Sequence, residues 1–413
     1  MGAIELPYSM VDSVMKHGSV ARLSELTRAL VKLTGHDRND VTGYLLAAAL
    51  AYTDSLCDHK VEIPAFTILR DGRKYMHPSR GAGTSPDGGG TSSALSSTTI
   101  TEGVTGAVAA VRDEVPAPSA VDVAVITIRE DEFKAVLDRL PGYKHTPKQW
   151  WDYQCVSVAT EDAGSLTVAV GRIVDQGSLS AQALATSMIL DLKPRWILVV
   201  GIAGAIPATD YSLGDVLLSQ RVHDFTVSAK AAGRPPSYQD LGGPPHQDVV
   251  RLLANMQANA ALLGAWNHPE PMRMAVPEIQ VPESPNDPRL CGPTASKQGV
   301  IQCLQSKFKS PVRGTEPIFY TGPVIDASTL VKDPEVVDIW QNTASHACAI
   351  EMELSGVDRA ARHFGKGDTR VLAIRGFSDV VGFRRGPEWT QYACHSAASF
   401  ANALIRSGLL KSS

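Results

Sequence analysis

The 413-residue sequence predicts an α/β domain, a largely parallel sheet with helices on both faces, behind a small mainly helical block. Three observations carry that expectation. From Val121 onward, short apolar runs alternate with stretches of helical periodicity at the spacing of strand and helix. The first of these runs, VDVAVITI, is unbroken, as expected of a strand covered on both faces. Upstream, residues 77–120 turn to Gly, Ser, Thr, Ala and Pro, including Asp87-Gly88-Gly89-Gly90-Thr91-Ser92-Ser93. Such a segment buries too little apolar surface to offset its ordering entropy and reads as a flexible linker.

Composition narrows the function classes. With 39 basic and 43 acidic residues, the net charge of -4 excludes a nucleic-acid protein that works by bulk positive charge. The six cysteines, Cys57, Cys155, Cys291, Cys303, Cys348 and Cys394, form no CxxC pair and no zinc-finger spacing with histidine, so they read as reduced thiols and no metal is called for. No cationic and apolar leader and no apolar run of bilayer length occurs, which predicts a cytoplasmic protein without a membrane partner.

In residues 1–76, Val20, Leu23, Leu26, Leu30 and Leu33 keep helical spacing, and Gly35 can end that helix. Asp37 or Asn39 can cap a second helix through Leu45, Leu46, Ala49 and Leu50. AFTILRDGRKYMHP then reads as a hairpin turning at Asp71-Gly72. A block this small has little room for an enzyme pocket and reads as an adaptor or oligomerisation module. After the linker, VDVAVITI is a strand, and Arg129-Glu130-Asp131-Glu132 opens a helix. Strands follow at Tyr153 to Thr160 and Leu166 to Ile173, then a helix from Ser178 to Leu190. The strand from Arg195 to Val200 runs into Gly201-Ile202-Ala203-Gly204-Ala205, a turn where backbone can approach a ligand closely.

Between residues 225 and 317 the pattern weakens into a Pro-rich insertion around one helical segment, Gln247 to Leu263. A stretch of this length is a lid, a partner surface or a specificity element. Its Lys297, Lys307, Lys309 and Arg313 read as a solvated basic face. Regularity returns at Ile318 to Ile325, and a closing helix runs from Ser396 to Leu410.

The most informative stretch is Ala347 to Trp389. A strand to Met352 stops at Glu353; Leu354, Val357, Ala360, Ala361 and Phe364 make a helix; a second strand at Val371 to Ile374 leads to Arg375, Gly376, Phe377, Ser378 and Asp379. Carboxylates at two neighbouring strand ends lie where open α/β sheets bind ligands. Helix capping explains them equally well.

Five motifs in order over residues 121–410 resemble the nucleoside phosphorylase and methylthioadenosine/S-adenosylhomocysteine nucleosidase superfamily: VAVITIREDE, GIAGA with GDVLLS, GPVIDASTLVKD, AIEMEL and RGFSD. The resemblance implies a three-layer αβα sandwich around a mixed, partly barrel-like sheet, a homo-oligomer, and cleavage of a purine N-glycosidic bond. It implies that Asp379 activates the departing base through N7. Glu353 would hold the ribose hydroxyls, Glu132 would activate water, and Arg375 would orient it. Met352 would pack on the ribose. Leu330 and Val331 would contact adenine, with Ile202, Ala203, Gly204 and Ser378 lining the site.

Two departures bear on the nucleophile. Where the phosphorylase branch carries a phosphate-binding arginine before the Gly-rich segment, this chain has Val199 and Val200, which favours water. Ile202 stands where simple nucleosidases have serine. The tail VVGFRRGPEWTQYA resembles a subgroup fused to effector-associated modules in defence proteins. There Phe383, Arg384 and Arg385 could meet a 5′-substituent, guanidinium groups suiting phosphate, or form a surface turn. The expected activity is hydrolysis of an adenine nucleoside or nucleotide such as ATP or AMP, in antiviral defence, with a sensor or activator acting through residues 1–76. No cofactor is implied, although Mg²⁺ could arrive with a nucleotide. The alternatives are a phosphate-dependent phosphorylase and a non-catalytic nucleotide-binding module.

Overall fold

The computed structural model describes residues 120–229, 236–327, 329, 331, 333–365 and 367–411, and ahead of them three short strands, β1 (Glu5–Pro7), β2 (Thr67–Arg70) and β3 (Arg73–Met76). β2 and β3 pair antiparallel with Arg70 opposite Arg73, the register a turn at Asp71-Gly72 requires, and β1 lies parallel to β2. The helices expected in residues 1–76, and the linker at 77–120 up to its last residue, lie outside the described residues. The chain divides into two units, Met1–Ala117 and Pro118–Ser413.

The second unit is built on β4 (Val123–Thr127), whose five residues are all buried. Val123 and Val125 face one core, whereas Ala124 and Ile126 face another. That is the two-residue alternation of a strand covered on both sides. Helix α1 (Glu130–Leu137) follows, then β5 (Lys144–Pro147), β6 (Asp152–Ala159), β7 (Ser165–Arg172) and helix α2 (Ser178–Leu192). The chain continues through β8 (Trp196–Ala205), β9 (Val216–Asp224), the small hairpin β10 (Val227–Ala229) and β11 (Ser237–Gln239), and helices α3 (Gln247–Ala254), α4 (Pro269–Met272) and α5 (Thr294–Phe308). It closes with β12 (Phe319–Asp326), α6 (Pro334–Gln341), β13 (Ala349–Glu351), α7 (Leu354–Phe364), β14 (Arg370–Val380) and α8 (Glu388–Arg406).

Nine strands form one mixed sheet in the order β13-β12-β9-β14-β8-β4-β7-β6-β5. Residues of α1, α3 and α8 pack on one face and residues of α2 and α7 on the other, giving three layers. β8 has three neighbours. Its first half pairs parallel with β4, its last two residues pair antiparallel with β13, and β14 runs parallel along its other edge. The contact with β13 closes β8, β14, β9, β12 and β13 into a ring, so the open sheet becomes a barrel at one end.

Three sequence expectations change here. The segment from Gly201 to Ala205 is no turn but the second half of β8. Its small residues let one strand leave β4 and bend toward β13. The insertion at 225–317 is more regular than its Pro content indicates, because α5 spans fifteen residues. Its buried stripe is Val300, Ile301, Cys303, Leu304 and Lys307, and the thiol and amine hide the apolar pattern. Lys307 does not belong to a solvated basic face. Its fully buried Nζ donates to Asp215 Oδ1 at 2.7 Å and to Leu213 O at 2.8 Å, and Arg313 pairs with the same carboxylate. Lys309 does sit on the surface, against Glu283.

Candidate active site

Where the sheet turns into the barrel, a cavity of about 700 Å³ opens beyond the ends of β4, β8, β13 and β14. The size falls in the range of roughly 300–1,000 Å³ usual for small-molecule sites. Of the residues expected in the site, Glu132, Ile202, Ala203, Gly204, Val331, Met352, Glu353, Ser378, Asp379, Phe383, Arg384 and Arg385 all line it. Leu330 lies outside the described residues. Arg375 sits behind the wall, 1% exposed, and acts on the cavity through the carboxylates it touches.

The inner end is assembled from three elements. Glu132, at the third position of α1, turns its carboxylate back: Oε2 accepts from the backbone N–H of Ile128 at 2.9 Å and Arg129 at 2.8 Å, and Oε1 accepts from Ile202 N–H at 2.9 Å. Burial pushes its pKa up, against the opposing pull of Arg375 and the three backbone donors. β14 brings Arg375 level with Gly201 of β8. A Cβ at Gly201 would stand 2.5 Å from Glu132 Oε1 and 2.6 Å from Arg375 Nη1, so both polar groups converge on a bare Cα. Only glycine leaves that space.

β13 and the start of α7 supply the other two acids. Glu351 accepts from Arg375 Nη2 and from the backbone N–H groups of Glu353 and Leu354, which fixes the helix start. Glu353 lies 3.7 Å from the same Nη2 and accepts from Gly177 N–H at 3.1 Å. Burial, with Glu351 beside it, pushes the Glu353 pKa up to about 7. Deeper still, Asp326 takes the Ser355 N–H, and burial holds its carboxyl well above the usual range. Arg375 Nε and Nη1 are buried with no hydrogen-bond partner among the described residues. Buried guanidinium donors are costly to leave unpaired.

The outer end is different. β14 pairs with β8 through a bulge, Phe377 opposite Ala203 and Asp379 opposite Gly204, with Ser378 as the extra residue. A bulge re-aims the following side chain. Asp379 accepts from Ser378 Oγ at 2.7 Å and faces Arg385, with Nε at 2.9 Å and Nη2 at 3.1 Å. Its side chain is 42% exposed, which makes it the least buried of the four acids lining the cavity. Arg385 also donates to Ser378 O and Gly386 O, and therefore buttresses Asp379. Arg384 is exposed and lines the cavity with no ion pair among the described residues.

Sequence reasoning missed Glu351, Arg129 and Arg289. The first was legible, because residues i and i+2 about the end of a strand share a side and Glu351 stands two before Glu353. Trp389 and Tyr392, part of the distinctive tail, prove to be core: both are 1% exposed and their rings meet edge-on. Among the described residues no cluster of His, Cys, Asp and Glu could hold a metal, and no helix is long and apolar enough to cross a membrane.

Residues 122–407 match the profile of the Phosphorylase superfamily. The chain belongs to that family. Among its relatives are the protein named ATP nucleosidase Cap17 from Escherichia coli, 25% identical over 60% of this chain and 42% of the relative, and the Death domain-containing ATP nucleosidase of Amphimedon queenslandica, 21% identical over 78% and 55%. The chain thus spans about half the length of the curated relatives it matches. A solved 5′-methylthioadenosine/S-adenosylhomocysteine nucleosidase from Colwellia psychrerythraea in complex with adenine aligns over 70% of this chain and 96% of its own, at 16% identity and a TM-score of 0.46.

Proposed function

We propose that the protein hydrolyses the N-glycosidic bond of an adenine nucleotide, ATP or AMP, releasing free adenine. The observation that carries this is the gathering of Glu132, Glu353 and Asp379 on one cavity, with Arg375 buried behind its inner end. Glu132, made more basic by burial, takes the proton of a water in the cavity as the water oxygen attacks C1′, and Arg375 fixes the carboxylates around it from behind the wall. Glu353 accepts from the ribose hydroxyls and stabilises the positive charge that the sugar develops. At the other end Asp379 protonates or hydrogen-bonds N7, so adenine departs neutral. Val199 and Val200, both buried in the sheet, offer nothing to an inorganic phosphate, which supports water over phosphorolysis. The names of the two curated relatives support ATP as the substrate.

The wider role is proposed on the same footing. The reading is a cytoplasmic homo-oligomer in antiviral defence, with residues 1–76 as adaptor or oligomerisation module, residues 77–120 as linker, and a sensor or activator docking on the first block. Incubating the full chain with ATP, AMP, adenosine and methylthioadenosine and following free adenine by chromatography tests the core claim. Adenine appears from a nucleotide, and Asp379→Asn cuts the rate by about 10²–10⁴-fold. Release from none of the four refutes the reading, and unchanged turnover in the variant removes Asp379 from it.

A further inference from the structure

The insertion at 225–317 takes part in the cavity wall. Pro288, Arg289 and Cys291 line the cavity from that side. They are held to the loop beyond Asp379 by a short antiparallel contact, Leu290 opposite Phe383. Cys291 N–H donates to Gly382 O at 2.9 Å, and Arg384 N–H donates to Arg289 O at 2.8 Å. Gly382 has φ of +88°, so the loop that receives the insertion takes a turn that favours glycine. Two arginines from chain segments nearly a hundred residues apart therefore stand side by side at the cavity mouth.

Their chemistry is complementary. Asp287 grips Arg289 at Nε and Nη2, Gln280 O takes one Nη1 hydrogen, and the guanidinium carbon lies 5.6 Å from the centre of the Phe383 ring. Three of its five N–H groups are used, which fixes the fork and leaves two for a ligand. Arg384 is exposed, and its guanidinium has no hydrogen-bond partner among the described residues. Of the other arginines lining the cavity, Arg385 is spent on Asp379 and two carbonyls, and Arg129 is gripped by Asp131. The acids pairing with Arg375 lie at the opposite, inner end, so the mouth is where an anion meets cations.

Resting on the adenine-nucleotide reading above, we propose that Arg289 and Arg384 form the phosphate-binding wall of the site and that the insertion sets specificity for nucleoside polyphosphates. Arg289 supplies a preset fork, and Arg384 closes on the phosphate chain from its neighbouring position. Each phosphate added to the ligand gains charge-assisted hydrogen bonds there. Arg385, the other half of the Arg384-Arg385 pair, keeps Asp379 in place and takes no phosphate.

The test uses the full chain carrying Asp379→Asn, so that ligands persist, titrated with ATP, AMP and adenosine. Arg384→Ala and Arg289→Ala are each added to it. Each arginine substitution is expected to weaken ATP about 10- to 100-fold, AMP less, and adenosine by no more than about twofold. Equal loss for all three ligands, or no loss for ATP, overturns the proposal. Arg384 is exposed, so its variant keeps the test valid if removing Arg289 unsettles the insertion. Binding of none of the three, together with no adenine release by the native chain, overturns the nucleotide reading and this wall with it.

Discussion

The two ends of the cavity carry the same kinds of side chain, carboxylates and arginines, in opposite physical states. At the inner end Glu132, Glu351, Glu353 and Arg375 are each no more than 6% exposed and are fixed by backbone donors and one guanidinium. At the outer end Asp379 and Arg385 form a pair open to water, and the Arg384 side chain has no partner among the described residues. On the proposed reading the inner end is set before substrate arrives, as transition-state stabilisation requires, because charges already oriented in a low dielectric need no reorganisation. On the same reading the outer end meets the departing base and a variable substituent, tasks that need solvent access. One fold builds both because β14 crosses the cavity, carrying Arg375 at its middle and Asp379 beyond its bulge.

Breaking the inner end should cost most. Arg375→Met leaves Glu351 and Glu353 buried without their cation, a loss of about 3–5 kcal/mol visible as a lower Tm, with adenine release abolished. An Arg384→Ala control should melt like the native chain. Gly201→Ala places a methyl between Glu132 and Arg375. Differential scanning calorimetry should find about 1–3 kcal/mol of overpacking, and turnover should fall by about 10²-fold as the Glu132 carboxylate is displaced. Normal activity in that variant would show that nothing reacts at that point.

The smallest effect concerns pH and sharpens the contrast. The Glu353 pKa of about 7 in the folded chain lies above its ordinary 4.5, so between those values the native state binds the extra proton. Stability should therefore fall as pH rises through that window and level off above it, by an amount on the order of 1–3 kcal/mol. The buried Glu132 and Asp326, also pushed up, act in the same direction. Glu353→Gln should flatten part of the slope of Tm against pH. It should also remove an ionisation near pH 7 from kcat/KM if, as proposed, the carboxylate form holds the sugar. A slope unchanged by the substitution would place Glu353 outside the charged inner cluster.

Most of the second unit was legible because its strands and helices follow simple periods. The α7 helix begins and ends where Leu354, Phe364 and Gly365 place it, and VDVAVITI is indeed a doubly covered strand. Legibility failed where tertiary pairing decides. Whether Gly201 to Ala205 turns or continues depends on β13, which lies some 145 residues downstream in the chain and contributes only three residues. Whether Lys307 is solvated depends on Asp215, nearly a hundred residues upstream. At the site, motif order named the four residues Glu132, Glu353, Arg375 and Asp379. The split between Arg384 and Arg385 could not be read from adjacent letters, because it depends on how the chain folds back toward Asp379 after β14.

The central claim is that water, activated by Glu132, is the nucleophile. It is tested most directly by measuring adenine release from ATP by the full chain, with and without added inorganic phosphate, beside Glu132→Gln. The account predicts release without phosphate, a free reducing sugar triphosphate as the second product, and a loss of about 10²-fold or more in the variant. Release that requires phosphate and yields a sugar 1-phosphate, or that proceeds at full rate in Glu132→Gln, would contradict it.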